Sequence, residues 1–272
     1  MLKLVILIIY FAVLIGIGLY CRKHATDVNG FVLGGRSVGP WLTAFAYGTS
    51  YFSAVVFVGY AGQFGWKYGI AATWAGIGNA IIGSLLAWVV LGRRTRIMSQ
   101  HLDSATMPQY FGKRFGSNPL KIGASVIIFI FLIPYTASLY NGLSRLFGMA
   151  FNIDYSVCII IMATLTAIYV IAGGYMATAI NDFIQGIIML FGIVAVIAAV
   201  IHSKGGFMSA LQGLANVSDP AVSDTPGIFA SFFGPDPFNL LCVVILTSLG
   251  TWGLPQMVQK FYAIDNENGG GA

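Results

Sequence analysis

The sequence predicts an all-α, polytopic membrane protein with about seven transmembrane helices, each near the 20 apolar residues that a bilayer requires. Three observations carry this. Of 272 residues, 57% are hydrophobic and 8% charged, with a mean hydropathy of +0.82, whereas soluble domains are about 25% charged. The apolar residues fall into long runs. The basic residues, which give a net charge of +5, gather between those runs, where they report topology instead of forming a stripe for nucleic acid. The lipid bilayer is therefore an expected partner and nucleic acid is not. Cys21, Cys158 and Cys242 lie in or beside apolar runs without ligand spacing, so they read as small buried hydrophobes. Neither a disulfide, a transition-metal site nor a cofactor is expected.

Residues 2–21 form one apolar run of spanning length. It ends in Tyr20, Cys21, Arg22, Lys23 rather than in a small-residue cleavage site, so it reads as a retained helix and not a signal peptide. A polar, Gly-rich linker, Arg22 to Gly39, leads to the span Trp41 to Gly65. The centre of that span is Gly48, Thr49, Ser50, Tyr51, Phe52, Ser53, Ala54. Hydroxyls and a glycine at mid-depth suit a helix that unwinds and offers backbone carbonyls to a cation. Close helix packing by small residues is the other reading.

The Gly- and Ala-rich span Ile70 to Leu91 follows. A basic loop, Gly92 to Asn118, carries Arg93, Arg94, Arg96, Lys113 and Arg114, and within it SATMPQYFGKRFG suits a short amphipathic helix at the membrane surface. Spans are expected over Leu120–Phe151, Tyr155–Ile171 and Ile180–Ile201, then a long polar loop over 203–237. The last span, Phe238 to Tyr262, is interrupted at Trp252, Gly253, Leu254, Pro255, because a proline inside a helix removes a backbone hydrogen bond.

With the amino terminus outside, the inside segments hold ten basic residues: Arg22, Lys23, Arg36, Arg93, Arg94, Arg96, Lys113, Arg114, Lys121 and Lys260. The outside holds three, Lys3, Lys67 and Lys204. This bias predicts the amino terminus out and the carboxyl terminus in. The two interrupted spans are the second and the seventh. Five helices apart, they have opposite topologies, as an inverted repeat produces. The predicted organisation is an extra helix (2–21), a first five-helix repeat (40–202), an extracellular loop (203–237), the interrupted first helix of a second repeat (238–264) and a tail (265–272). A complete second repeat needs about four further spans, so a longer protein is expected.

Several motifs then resemble the sodium:solute symporter family. They are FVLGGRSVGPW before the first interruption, Tyr135-Thr-Ala-Ser138 with Gly142-Leu-Ser-Arg145-Leu-Phe, AIYVIAGGYMATAINDFIQG, and WGLPQMVQKFYA at the second interruption. The resemblance runs from about residue 4 to residue 265. It implies a fold similar to the leucine transporter, with two inverted five-helix repeats (5+5), and a sodium ion as the coupling ion. Carried onto this chain, half of a sodium site falls at the carbonyls of Thr49 and Phe52, with Ser53 close by. The other ligands would come from a helix outside this chain.

The resemblance also links Asp182 to sodium passage toward the cytoplasm. Asp182 shares a helical face with Gln185 and Gly186, and an ionisable group inside a membrane is a functional candidate by default; a helix-cap carboxylate is the alternative. Tyr135 and Ser138, with Gly142 and Arg145, follow helical spacing, and the family makes Tyr135 a pathway candidate. An interface tyrosine and a structural Arg145 are the plainer readings. Thr251, Trp252 and Gln256 surround the second interruption as gate or substrate contacts, or as packing residues.

Proline symporters carry an Asp where this chain has Tyr51, and the sugar type a Gln where it has Val56. Tyr51, Val55 and Val56, with Trp252, therefore suggest a partly apolar small organic solute of amino acid or carboxylate type. The expected function is sodium-coupled symport by alternating access in the cytoplasmic membrane. A membrane sensor that binds a solute without transporting it is the alternative. An enzyme is not expected, since the spans hold almost no His, Asp, Glu or reactive Cys.

Overall fold

The computed structural model describes residues 2–51 and 60–265. The described chain is α-helical, and β pairing within it is limited to two isolated bridges, Val38 with Ile264 and Asp219 with Ser223. The helices are α1 (Leu2–Cys21), α2 (Val28–Leu33), α3 (Pro40–Tyr51), α4 (Ala61–Tyr68), α5 (Thr73–Gly78), α6 (Arg93–His101), α7 (Met107–Phe115), α8 (Asn118–Phe151), α9 (Tyr155–Ser203), α10 (Phe207–Ala215), α11 (Pro237–Gly250) and α12 (Pro255–Ala263). Between α5 and α6 the chain winds as π-helix over Asn79–Leu86 and Trp88–Gly92. Three helical runs are long and apolar enough to cross a bilayer: Ala61–His101, Asn118–Phe151 and Tyr155–Ser203. The bent pair of α11 and α12 makes a fourth if it is one span.

Local sequence sets the helix ends. Asp27 accepts from the amide of Gly30 to start α2, Thr106 from Gln109 to start α7, Ser117 from Leu120 to start α8 and Asp236 from Asn239 to start α11. Each is a polar side chain satisfying an orphan amide. Pro40 and Pro255 stand at the first positions of α3 and α12, where a missing N–H costs nothing. The amphipathic helix expected after Arg96 is α7.

Four expectations change. The link between the runs 155–171 and 180–201 shrinks to a kink inside α9, where two helical stretches meet at Gly174, the one described residue of α9 with non-helical angles, φ 56 and ψ −149. A Cβ there would lie 2.7 Å from the Phe31 carbonyl oxygen, so only glycine fits. The loop 203–237 contains a nine-residue helix, α10. Cys21 and Cys158 are buried as expected, but Cys242 is exposed on α11. Finally, Arg96 and Lys260 are 4% and 6% exposed, so these two basic residues are interior anchors rather than loop charges.

The chain divides into two compact units, one drawn from Met1–Val55, Trp88–Gly186 and Leu254–Ala272, the other from Val56–Ala87 and Ile187–Gly253. The first has a core of Leu33, Val38, Ala46, Ala105, Tyr175, Ala179, Val258, Tyr262 and Ala263. The second packs Tyr68, Ala71 and Ala75 against Leu240 and Val244 of α11. Two of the four unit boundaries, 55/56 and 253/254, fall within the spans that the sequence reads as interrupted, and Leu254, extended at φ −67 and ψ 127, separates α12 from the turn Thr251–Gly253.

Candidate functional site

In the first unit α3 and α9 meet at Gly186. A Cβ at this glycine would lie 2.6 Å from Phe45 Cδ1 and 3.1 Å from Thr49 Cγ2, so the close approach depends on its small size. The rings of Phe45 and Phe183 pack edge to face beside it, 4.8 Å apart. Thr49, one of the expected sodium ligands, thus stands on the seam. Its hydroxyl is turned back into the helix and donates to the carbonyls of Phe45 (2.9 Å) and Ala46 (3.3 Å).

Asp182 lies one turn before Gly186 on α9. Its Oδ2 is 3.6 Å from Nζ of Lys260 on α12, and the side chains are 23% and 7% exposed respectively. Lys260 Nζ also sits over the ring of Tyr175, 5.0 Å from its centroid, a favourable place for a cation. Tyr175 precedes Asp182 by seven residues and so shares its face of α9. Asp182 is eight residues past Gly174, inside the helix, which removes the helix-cap reading. A buried charge is tolerated only when paired, and here α9 and α12 each supply one partner.

Around this pair several buried polar groups find no hydrogen-bond partner among the described residues: both amide atoms of Gln256, both of Asn181 and the Tyr175 hydroxyl. Gln256 lies one turn before Lys260 on α12. Such groups cost about 1–3 kcal/mol each when left unsatisfied, so they suit a place that an ion, water or a polar solute enters.

The second unit holds a different polar cluster. Asn79 Nδ2 donates to Ala75 O (2.8 Å) and Thr247 Oγ1 (3.3 Å), and Ser248 Oγ donates to Asn79 Oδ1 (3.4 Å). Thr251 Oγ1 donates to Ser248 O (2.9 Å), and Trp252 Nε1 to the carbonyl of Ile82 in the π-helical segment (3.0 Å). Thr251 and Trp252 are therefore tied to their own unit by hydrogen bonds.

The other expected site residues separate clearly. Tyr51 is buried at 8% beside Tyr47. Phe52, Ser53, Val55 and Val56 lie outside the described residues. Tyr135 is half-buried and Ser138 exposed on α8, where Ser138 Oγ donates to Tyr135 O; no described contact joins them to the Asp182 pair. Arg145 Nε donates to Asn141 Oδ1 at 2.9 Å, an intrahelical bond that fits the structural reading. Sequence reasoning missed Lys260 as a site residue, although a lysine inside MVQKFYA, one turn after Gln256, is itself a signal of an internal partner.

Long apolar helices with a paired charge in the seam between them define a multi-pass membrane protein with a polar interior. Residues 31–269 match the Sodium:solute symporter family. The chain belongs to this family, whose members are sodium-coupled transporters and not enzymes. It is 31% identical to the osmoregulated proline transporter OpuE of Bacillus subtilis (strain 168), over 94% of this chain and 51% of that protein. It is 32% identical to a sodium/proline symporter of Staphylococcus aureus (strain JH9), over 96% of this chain and 49% of that protein. The chain spans about half the length of the curated relatives it matches.

Proposed function

We propose that this chain is part of a sodium-coupled symporter for a small organic solute of amino acid or carboxylate type, working by alternating access in the cytoplasmic membrane. The observation that carries the reading is the seam at Gly186. Thr49, a candidate sodium ligand, packs there against Gly186, and Gly186 lies one helical turn along α9 from Asp182, in a chain of a sodium-coupled family.

In this reading Thr49 and Phe52 lend carbonyls to sodium, with Ser53 beside them, and Asp182 receives the ion on its way to the cytoplasm. A cation arriving at Asp182 competes with Lys260 for the carboxylate. Gln256 and Trp252, with Tyr51, Val55 and Val56, are proposed to face the solute or its gate; Thr251, Tyr135 and Ser138 are the remaining candidates. The proposed frame has seven crossings, the amino terminus outside, and the first repeat of a 5+5 leucine-transporter-like fold. Coupling requires only that sodium bind the solute-competent conformation more tightly than the other. The proline named for the relatives belongs in the solute panel, although Tyr51 replaces the Asp associated with proline symporters.

The test is uptake of labelled amino acids and carboxylates, proline among them, by the full-length protein in proteoliposomes, with Ser53→Ala as control. Uptake that requires an inward sodium gradient and is lost in Ser53→Ala supports the reading. Saturable solute binding without uptake by folded protein overturns it and leaves a solute sensor.

A further inference from the structure

We infer that the carboxyl-terminal end of α12 and the approach to α3 form one rigid clasp that stays assembled throughout the transport cycle, with Arg96 as its positioning residue. The inference rests on the symport reading for the cycle, and on the first unit alone for its geometry. Its centre is the parallel bridge between Val38 and Ile264. Val38 N donates to Ala263 O (3.3 Å) and Asp265 N to Val38 O (3.0 Å). Two arginines close on it. Arg36 donates to Ser99 Oγ (3.2 Å), Ser99 O (3.3 Å), Ser104 O (2.8 Å) and Tyr262 O (3.3 Å). Arg96 donates from Nε to Ile264 O (2.6 Å) and from Nη1 to Gln100 Oε1 (2.9 Å). Gln259 Nε2 donates to Val32 O, joining α12 to α2 as well.

The targets explain the choice of arginine. Ser99 O and Ser104 O lie at and beyond the end of α6, and Tyr262 O and Ile264 O at and beyond the end of α12. Carbonyls at helix ends lack intrahelical partners and carry the negative end of the helix dipole. Two forked guanidiniums therefore satisfy two helix ends and a linker at once. Burial, then the neighbouring Arg96, holds the Arg36 guanidinium below its ordinary value, yet arginine keeps its charge, so pH does not release the clasp.

A contact that opens in every cycle must expose its bonds in every cycle. Opening here would strand the guanidinium of Arg96, 4% exposed, and the carbonyls of Tyr262, Ala263 and Ile264, residues each no more than 3% exposed. The Asp182–Lys260 contact between α9 and α12 is, by comparison, a single pair at 3.6 Å. The observations therefore place the changing contact at the ion pair and the constant one at the clasp.

The experiment uses full-length protein without other cysteines, carrying Val38→Cys and Ile264→Cys, in proteoliposomes. Sodium-driven uptake after oxidative cross-linking is expected to stay within about twofold of the reduced sample. Uptake that vanishes on oxidation and returns with reductant overturns the clasp. Absent uptake in the reduced sample is a failure of the symport reading instead, and spin labels then decide. With labels at the exposed positions Ser37→Cys and Asp265→Cys, the distance distribution is expected to be the same without sodium, with sodium, and with sodium plus solute. A shift near the ~5 Å of a one-turn slide overturns it. Arg96→Ala is expected to broaden that distribution, and an unchanged width removes Arg96 from its role.

Discussion

Helices α8 and α12 were both expected to carry site residues, and they differ sharply. α8 has 34 residues, of which Ser144 alone is buried among those described. α12 has nine, of which six are buried: Met257, Val258, Lys260, Phe261, Tyr262 and Ala263. The two α8 residues singled out by sequence bond along their own helix, Ser138 to Tyr135 and Arg145 to Asn141. Polar groups of α12 look outward to other segments: Lys260 to Asp182, Gln259 to Val32, and the terminal carbonyls to Arg36 and Arg96. Inside a membrane a polar side chain gains a role from the element pressed against it. Helical spacing alone does not supply that element.

The largest test removes the partner that α12 supplies. Lys260→Leu leaves Asp182 as an uncompensated interior charge and should destabilise the protein by about 3–5 kcal/mol, read as a lowered melting temperature in detergent. Asp182→Asn in the same chain should recover most of that loss. If both variants melt alike, the pair does not couple α9 to α12.

Gly186→Val should cost about 1–3 kcal/mol through overpacking against Phe45 and Thr49, with the half-saturating sodium concentration for uptake rising more than that for solute. An unchanged sodium dependence would separate Thr49 from ion binding.

Gln256→Leu should leave stability unchanged or raise it by about 1 kcal/mol, because it removes buried amide atoms without described partners. Uptake should nevertheless fall. A variant that is more stable and fully active would make Gln256 a packing residue.

The smallest effect belongs to α8. Ser138→Ala should shift stability by no more than about 0.5 kcal/mol, measured by the same melts. A shift as large as that of Gly186→Val would erase the contrast between the two helices.

Much of this architecture was legible beforehand. The apolar runs, the short helix α7 and the break near Pro255 follow from hydropathy, capping and a missing N–H, all local properties. The Gly174 signature was visible as a motif, but its φ of 56 as the kink between two helical stretches was not, since paired glycines fit a longer loop equally well. Asp182 was found because a carboxylate in an apolar run is rare. Lys260 was counted as a loop charge because its distance from Asp182 in sequence, 78 residues by numbering, conceals a contact of 3.6 Å.

The sequence by itself determined the helical class, the membrane setting and, through its motifs, the family, because bilayer length and backbone hydrogen bonding leave few alternatives for such apolar runs. Only the tertiary structure decided which polar groups meet. It paired Asp182 with Lys260, set Thr49 against Gly186, and gave Arg36 and Arg96 the carbonyls at two helix ends. Pairings of this kind depend on which helix faces pack together, and that is settled by close fit between segments distant in the chain.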